Sequence, residues 1–145
     1  MPIRSIASLP KSVPLAHGME LEAERERPRV LVVDDDADAC EILSHVLAHL
    51  GYSVTCVSDS TLVLPHIEGE RFDAMLIDLV MPGLSGFDLL RALVSLGTHR
   101  CPVIAVSSHG ELRHKAREIG FHAFVEKPVE VRKLKPVLST LLPAM

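Results

Sequence analysis

From Arg29 to Leu142, short apolar runs alternate with longer segments whose apolar residues recur every three to four positions. RVLVV (29–33) is apolar and largely β-branched, the texture of a strand covered on both faces. DADACEILSHVLAHLG (36–51) follows, with Ala39, Ile42, Leu43, Val46, Leu47 and Leu50 at helical spacing and Gly51 where a helix C-cap belongs. YSVTCV (52–57) predicts a second strand. DSTLVLPHIEG (59–69) predicts a helix capped by Asp59 or Ser60 and ended at Gly69, kinked or shortened by Pro65. DAMLID (73–78), PVIAVS (102–107) and HAFVE (122–126) predict three more strands. GFDLLRALVSLG (86–97), GELRHKAREIG (110–120) and EVRKLKPVLSTLL (130–142) predict three more helices, the last interrupted by Pro136.

Five strand–helix units in alternation imply an α/β domain, a parallel sheet with helices on both faces. Right-handed crossovers leave few topologies, and the one expected is the flavodoxin-like doubly wound (βα)5 sheet of strand order 2-1-3-4-5. The domain is expected over residues 29–142. Residues 1–28 lack either period. They begin with a Pro- and Ser-containing stretch and continue into the alternating charges of MELEAERERPR (19–29), so they are expected to be a disordered or loosely packed N-terminal extension.

Composition narrows the function more than the fold. The chain has 145 residues, is 48% hydrophobic and has no Trp, so its core is built from Val, Leu, Ile and Ala. A net charge of -4 argues against direct nucleic-acid binding. No apolar run reaches the roughly 18 residues of a membrane span, and no export signal is evident, which points to a cytoplasmic protein. Cys40, Cys56 and Cys101 stand far apart with no CxxC, and are expected as reduced thiols behaving as small buried hydrophobes.

Ligands of such sheets bind at the carboxyl ends of the strands. There the sequence places Asp34, Asp35 and Asp36 after the first strand, Asp78 after the third, Ser107 and Ser108 after the fourth, and Glu126, Lys127 and Pro128 after the fifth. Clustered carboxylates repel one another, and a hard divalent cation such as Mg²⁺ relieves that repulsion through oxygen ligands. A lysine and a hydroxyl nearby suit phosphoryl oxygens. The set therefore suits phosphoryl transfer, with Asp78 as nucleophile.

The segments VLVVDDD, LIDLVMPGLSG, VIAVSS and FVEKP, in this order and spacing, resemble the receiver domain of two-component response regulators over about residues 29–142. The resemblance implies that Asp78 is the phosphoacceptor, taking its phosphoryl group from the phosphohistidine of a sensor histidine kinase or a histidine phosphotransfer protein. It implies that Asp34, Asp35, Asp78 and the backbone carbonyl of Val80 hold Mg²⁺. Ser107 matches the hydroxyl that binds the phosphoryl group and moves on activation, Lys127 the lysine that pairs with its oxygens, and Phe124 the aromatic switch position, often Tyr. The Lys127–Pro128 bond is usually cis in this family. Gly83 and Gly86, in the turn after Asp78, are expected to adopt backbone angles that other residues resist. Val80 and His109 are expected to flank the route of attacking water and tune phosphate lifetime. The sequence departs from the family pattern with Ser107 for Thr, Ser108 for Ala and Phe124 for Tyr, which bears on switching more than on phosphorylation.

Nothing follows the last predicted helix except PAM, so a stand-alone regulator is expected, signalling by protein–protein contact and not itself an enzyme. Arg113, His114, Lys115 and Arg117, with Arg132, Lys133 and Lys135, make the fourth helix–fifth strand–fifth helix face basic. A target protein or a second copy of the chain could dock there, although a solvated charged face accounts for the pattern equally well. His45 and His49 lie one helical turn apart without a third ligand and are read as a solvated face. Two alternatives compete with the phosphoacceptor. One is a receiver that is never phosphorylated and acts only as a binding module. The other is a haloacid-dehalogenase-like phosphohydrolase with Asp34 as nucleophile and Asp36 as acid/base, which lacks an acidic motif after Lys127 beyond Glu130.

Overall fold

The structure of the chain is a computed structural model and describes residues 27–97 and 101–142. Five strands, β1 (Arg29–Val33), β2 (Ser53–Val57), β3 (Ala74–Asp78), β4 (Val103–Ser107) and β5 (Ala123–Glu126), alternate with five helices, α1 (Ala37–His49), α2 (Val63–Gly69), α3 (Gly86–Leu96), α4 (Arg113–Ile119) and α5 (Val131–Leu141). The sheet is parallel and its order is β2-β1-β3-β4-β5, as expected from the alternation. Of the N-terminal extension only Arg27 and Pro28 fall among the described residues.

The sheet separates two cores. On one face Val30, Val32, Leu76, Ile104 and Val125 pack against Cys40, Leu43 and Leu47 of α1 and Leu134 and Leu138 of α5. On the other, Leu31, Met75 and Ile77 meet Val63 of α2, Leu89, Leu90 and Leu93 of α3, and Ala116 of α4. Strands β3 and β4 are buried along their whole length, as the unbroken apolar runs require. The end of each therefore opens into the middle of the carboxyl edge.

Local chemistry sets the helix ends. Asp36, not Asp38, caps α1, its carboxylate accepting from the Asp38 and Ala39 N–H groups. The expected second helix divides. Asp59 caps a single 3₁₀ turn, Ser60–Leu62, before α2 begins. Pro65 stands third in α2, where its missing N–H takes nothing from the helix ladder. GELRHKAREIG divides in the same way, into a 3₁₀ turn at Gly110–Leu112 and then α4. Pro136 lies inside α5 on the exposed side, and the helix runs through it although Pro136 has no backbone N–H to give to the ladder.

Two expectations need correction. Cys40 and Cys56 are not separate thiols but a disulfide, with Cα atoms 6.0 Å apart. Cys40 is buried and Cys56, on edge strand β2, is exposed. The crossover through α1 returns β2 beside β1 with Cys56 opposite Val32, on the face that α1 covers, a proximity hidden in a separation of 16 residues. Ile42, grouped with the apolar stripe of α1, is 62% exposed.

Candidate functional site

The site grows from three strand ends and one loop. The first carboxylate after β1, Asp34, is 3% exposed and the last residue of β3, Asp78, is 5% exposed. Both are seated by their own backbones. Asp34 Oδ1 accepts from the Asp36 N–H at 3.0 Å, and Asp78 Oδ1 accepts from the Val80 N–H at 3.2 Å. Each tight local turn spends one carboxylate oxygen and aims the other inward. There Lys127 Nζ donates to Asp34 Oδ2 at 3.0 Å and Asp78 Oδ2 at 3.4 Å. The Lys127–Pro128 peptide is cis. Asp35 is exposed, yet one oxygen from each of Asp34, Asp35 and Asp78 falls within 4.8 Å of the others.

Two aspartates share one ammonium, and the charges show it. Burial, then the charge of Asp34, pushes the Asp78 carboxyl up to about 6, against the pull of Lys127 and the Val80 N–H. Burial draws Lys127 down, but the Asp34 hydrogen bond and the charges of Asp78 and Asp34 outweigh it, so its pKa stands above that of an ordinary lysine. The pocket holds more negative charge than its own lysine neutralises. Its donors are all hard oxygens, and this set fits Mg²⁺.

Ser107 ends β4, is 1% exposed, and its Oγ accepts from the His109 N–H at 3.0 Å. Phe124, one strand further, is half-buried and lies under the Arg113 guanidinium, 4.6 Å from ring centroid to Cζ, with a long bond of 3.5 Å from Arg113 Nη1 to the Phe124 carbonyl. Arg113 and Phe124 were each legible as candidates, but their pairing was not, since they stand 11 positions apart with a helix between them. Val80 and His109 are exposed at the rim. Of the two turn glycines, Gly83 has φ +80 as expected, whereas Gly86 is needed for space. A Cβ there would overlap the Asp78 carbonyl oxygen and lie 2.9 Å from Leu79 Cα. His45 and His49 are exposed on α1, and His45 faces Glu41 at 3.8 Å. Much of the basic face is committed locally. Lys115 lies over Phe87, His114 pairs with Glu118, and Arg132 and Lys133 pair with Glu130.

A family model described as the response regulator receiver domain matches residues 30–139. The chain belongs to this family. A solved receiver domain (CheY-like) from Methylobacillus flagellatus is 30% identical, with a TM-score of 0.74 over 80% of this chain and 99% of that one. The sensory/regulatory protein RpfC of Xanthomonas campestris is 34% identical over 78% of this chain but only 16% of its own length. The response regulator protein TodT of Pseudomonas putida is 30% identical over 98% of this chain and 63% of its own. The chain thus spans a part of these curated relatives. As a receiver, it presents the acidic pocket at the carboxyl ends of β1 and β3, and among its described residues no helix is long and apolar enough to cross a membrane.

Proposed function

We propose that the chain accepts a phosphoryl group on Asp78 from the phosphohistidine of a sensor histidine kinase or a histidine phosphotransfer protein, in the cytoplasm and in a Mg²⁺-dependent reaction. The observation that carries this reading is the single Lys127 ammonium shared by two buried carboxylates, one of them ending a central strand at the carboxyl edge. Asp34, Asp35, Asp78 and the Val80 carbonyl would hold Mg²⁺, which when bound supplies charge to offset the carboxylates and the incoming phosphoryl oxygens. Asp78 supplies the attacking oxygen as the phosphorus–nitrogen bond of the donor breaks. Lys127 shifts from the carboxylates to the phosphoryl oxygens, and Ser107, released from the His109 N–H, donates its hydroxyl to another.

Around the pocket, the exposed side chain of Ile42 with Leu43 and Val129 borders an apolar groove that reaches Asp34 and Lys127. A donor protein presenting a histidine has apolar surface to rest on there. Output passes by protein–protein contact through the face of α4, β5 and α5, where Arg113, Arg117 and Lys135 are exposed, and the same face serves if the domain dimerises. The hydrolase reading on Asp34 has no support in this geometry. Asp36, its acid/base, is exposed and occupied with capping α1.

The test is intact mass after incubation with a small phosphodonor, with and without Mg²⁺. One phosphoryl adduct is expected in the wild type with Mg²⁺, and none in Asp78→Asn or without the ion. No adduct under any condition would leave the binding-only module as the better account.

A further inference from the structure

The acidic loop after β1 is enclosed by a ring of interactions. The Asp34 N–H donates to the Val57 carbonyl at 3.2 Å. Asp34 Oδ1 accepts from the Asp36 N–H at 3.0 Å, and the Asp36 carbonyl accepts from the Cys40 N–H at 3.0 Å. The Cys40–Cys56 disulfide then returns to the residue beside Val57 and closes the ring. Each link but one is a hydrogen bond that opens at modest cost. The covalent link is the one that can be made and broken chemically, and its two ends differ, Cys40 being 5% exposed while Cys56 lies at the surface of an edge strand.

We infer that Cys40 and Cys56 form a thiol–disulfide exchange site whose oxidation state sets the order of the loop carrying Asp34 and Asp35. The consequence for Mg²⁺ rests on the proposed function. A low-mass thiol attacks Sγ of Cys56, the exposed residue of the pair, as its thiolate. The S–S bond breaks, its electron pair leaves on Cys40 Sγ, which takes up a proton, and Cys56 is left in a mixed disulfide. A second thiolate attacks the external sulfur of that mixed disulfide, releasing Cys56 as a thiol. The net change is one protein disulfide and two low-mass thiols converted to two protein thiols and one low-mass disulfide, and the reverse reaction reoxidises the pair. In the cytoplasm, a disulfide of this kind is transient or redox-sensing rather than a permanent staple. Oxidised, the loop is held at both ends and loses less freedom on taking up an ion. Reduced, α1 and β2 are joined near the loop only by packing and hydrogen bonds.

The experiment uses the full chain, oxidised with a low-mass disulfide or reduced with excess dithiol, the state verified by alkylation and intact mass. Mg²⁺ alone is titrated by calorimetry, and amide hydrogen exchange is followed without metal. Reduction is expected to weaken Mg²⁺ binding about tenfold, the low end of what lost support behind a metal ligand costs, and to speed exchange at residues 34–40. Cys56→Ser, at an exposed position, is expected to behave as the reduced protein whatever the redox conditions, and Cys40→Ala to do the same. Equal Mg²⁺ affinity and equal exchange in the two states, or failure of the pair to oxidise, overturns the inference. Phosphodonor labelling of the same samples separates the two ideas. An adduct on Asp78 with identical Mg²⁺ dependence in both states overturns this inference and leaves the proposed function standing. Redox-dependent exchange and Mg²⁺ affinity without any adduct do the opposite.

Discussion

The two sides of the carboxyl edge are built on different terms. On the β1–β3 side, Asp34 and Asp78 are buried, and each has one oxygen fixed by its own turn and the other tied to Lys127. On the β4–β5 side, Ser107 bonds a neighbouring N–H and Phe124 lies beneath an exposed arginine, so each is satisfied by a contact that can be exchanged. One side concentrates charge that its own groups leave unbalanced, and the other keeps its groups provisionally occupied. A pocket that reacts and then reports, as the proposed function has it, would need both. The acceptor must be fixed before the donor arrives, while the reporting groups must be free to leave their resting partners.

Breaking the acceptor side has the largest expected effect. Lys127→Ala removes the only ammonium that touches both buried aspartates among the described residues. Labelling of Asp78 by a small phosphodonor is expected to slow by about 100-fold, the scale of losing one charge-stabilising donor, read from the time course of the intact-mass adduct. Next comes the turn that seats Asp78. Gly86→Ala drives a methyl into the backbone of Asp78 and Leu79 and is expected to cost about 3 kcal/mol in denaturant melts. Gly83→Ala, with open space around it, is expected to cost only about 1 kcal/mol, for the positive φ alone.

The crowding of charge has its own signature in pH. In the metal-free fold Asp78 takes up its proton near 6, above the ordinary 3.8. The native state therefore holds this proton more tightly than the unfolded chain. The stability it confers is complete below about pH 4 and is lost as pH rises through about 6, a change of about 3 kcal/mol. Asp78→Asn removes that slope. Wild-type and variant melts between pH 4 and 8 without Mg²⁺ are expected to diverge in this window, the variant being the more stable at neutral pH. Parallel curves would show that neither burial nor the charge of Asp34 raises the proton affinity of Asp78. The smallest effect belongs to the reporting side. Arg113→Ala uncovers Phe124 and is expected to lower stability by under about 1 kcal/mol while leaving the rate of phosphodonor labelling unchanged. A large loss of labelling would mean that the two sides are one unit.

Sequence reasoning reached the frame of this site because the frame is periodic. The strands are apolar runs with acids or hydroxyls at their carboxyl ends, so the alternation implied a parallel sheet and placed Asp34, Asp78 and Lys127, which the structure brings together, at one edge. What it missed depends on tertiary neighbours. Cys40 and Cys56 meet only because α1 folds back over β1 and β2. Ile42 keeps helical spacing but sits at the edge of the stripe, beside the pocket. Gly86 was expected to need an unusual backbone angle, whereas its hydrogen-only side chain is required by a carbonyl of the strand before it. The splitting of two helices into a 3₁₀ turn and a short α-helix also left no periodic trace, because the apolar positions serve either geometry over so few residues.

Strand β4 is buried at every position, yet three residues beyond Ser107 the chain enters a partly exposed 3₁₀ turn in which Gly110 lies against the Glu126 carboxylate, where an added Cβ would meet Oε1 at 2.7 Å. In mechanical terms this is a fulcrum with a short arm. The strand cannot slide without unpacking both cores, so under the proposed function a pull on the Ser107 hydroxyl would act on the turn, which has the flexible end of the Glu126 side chain against one side of it. The turn, and not the strand, would then be the part that yields.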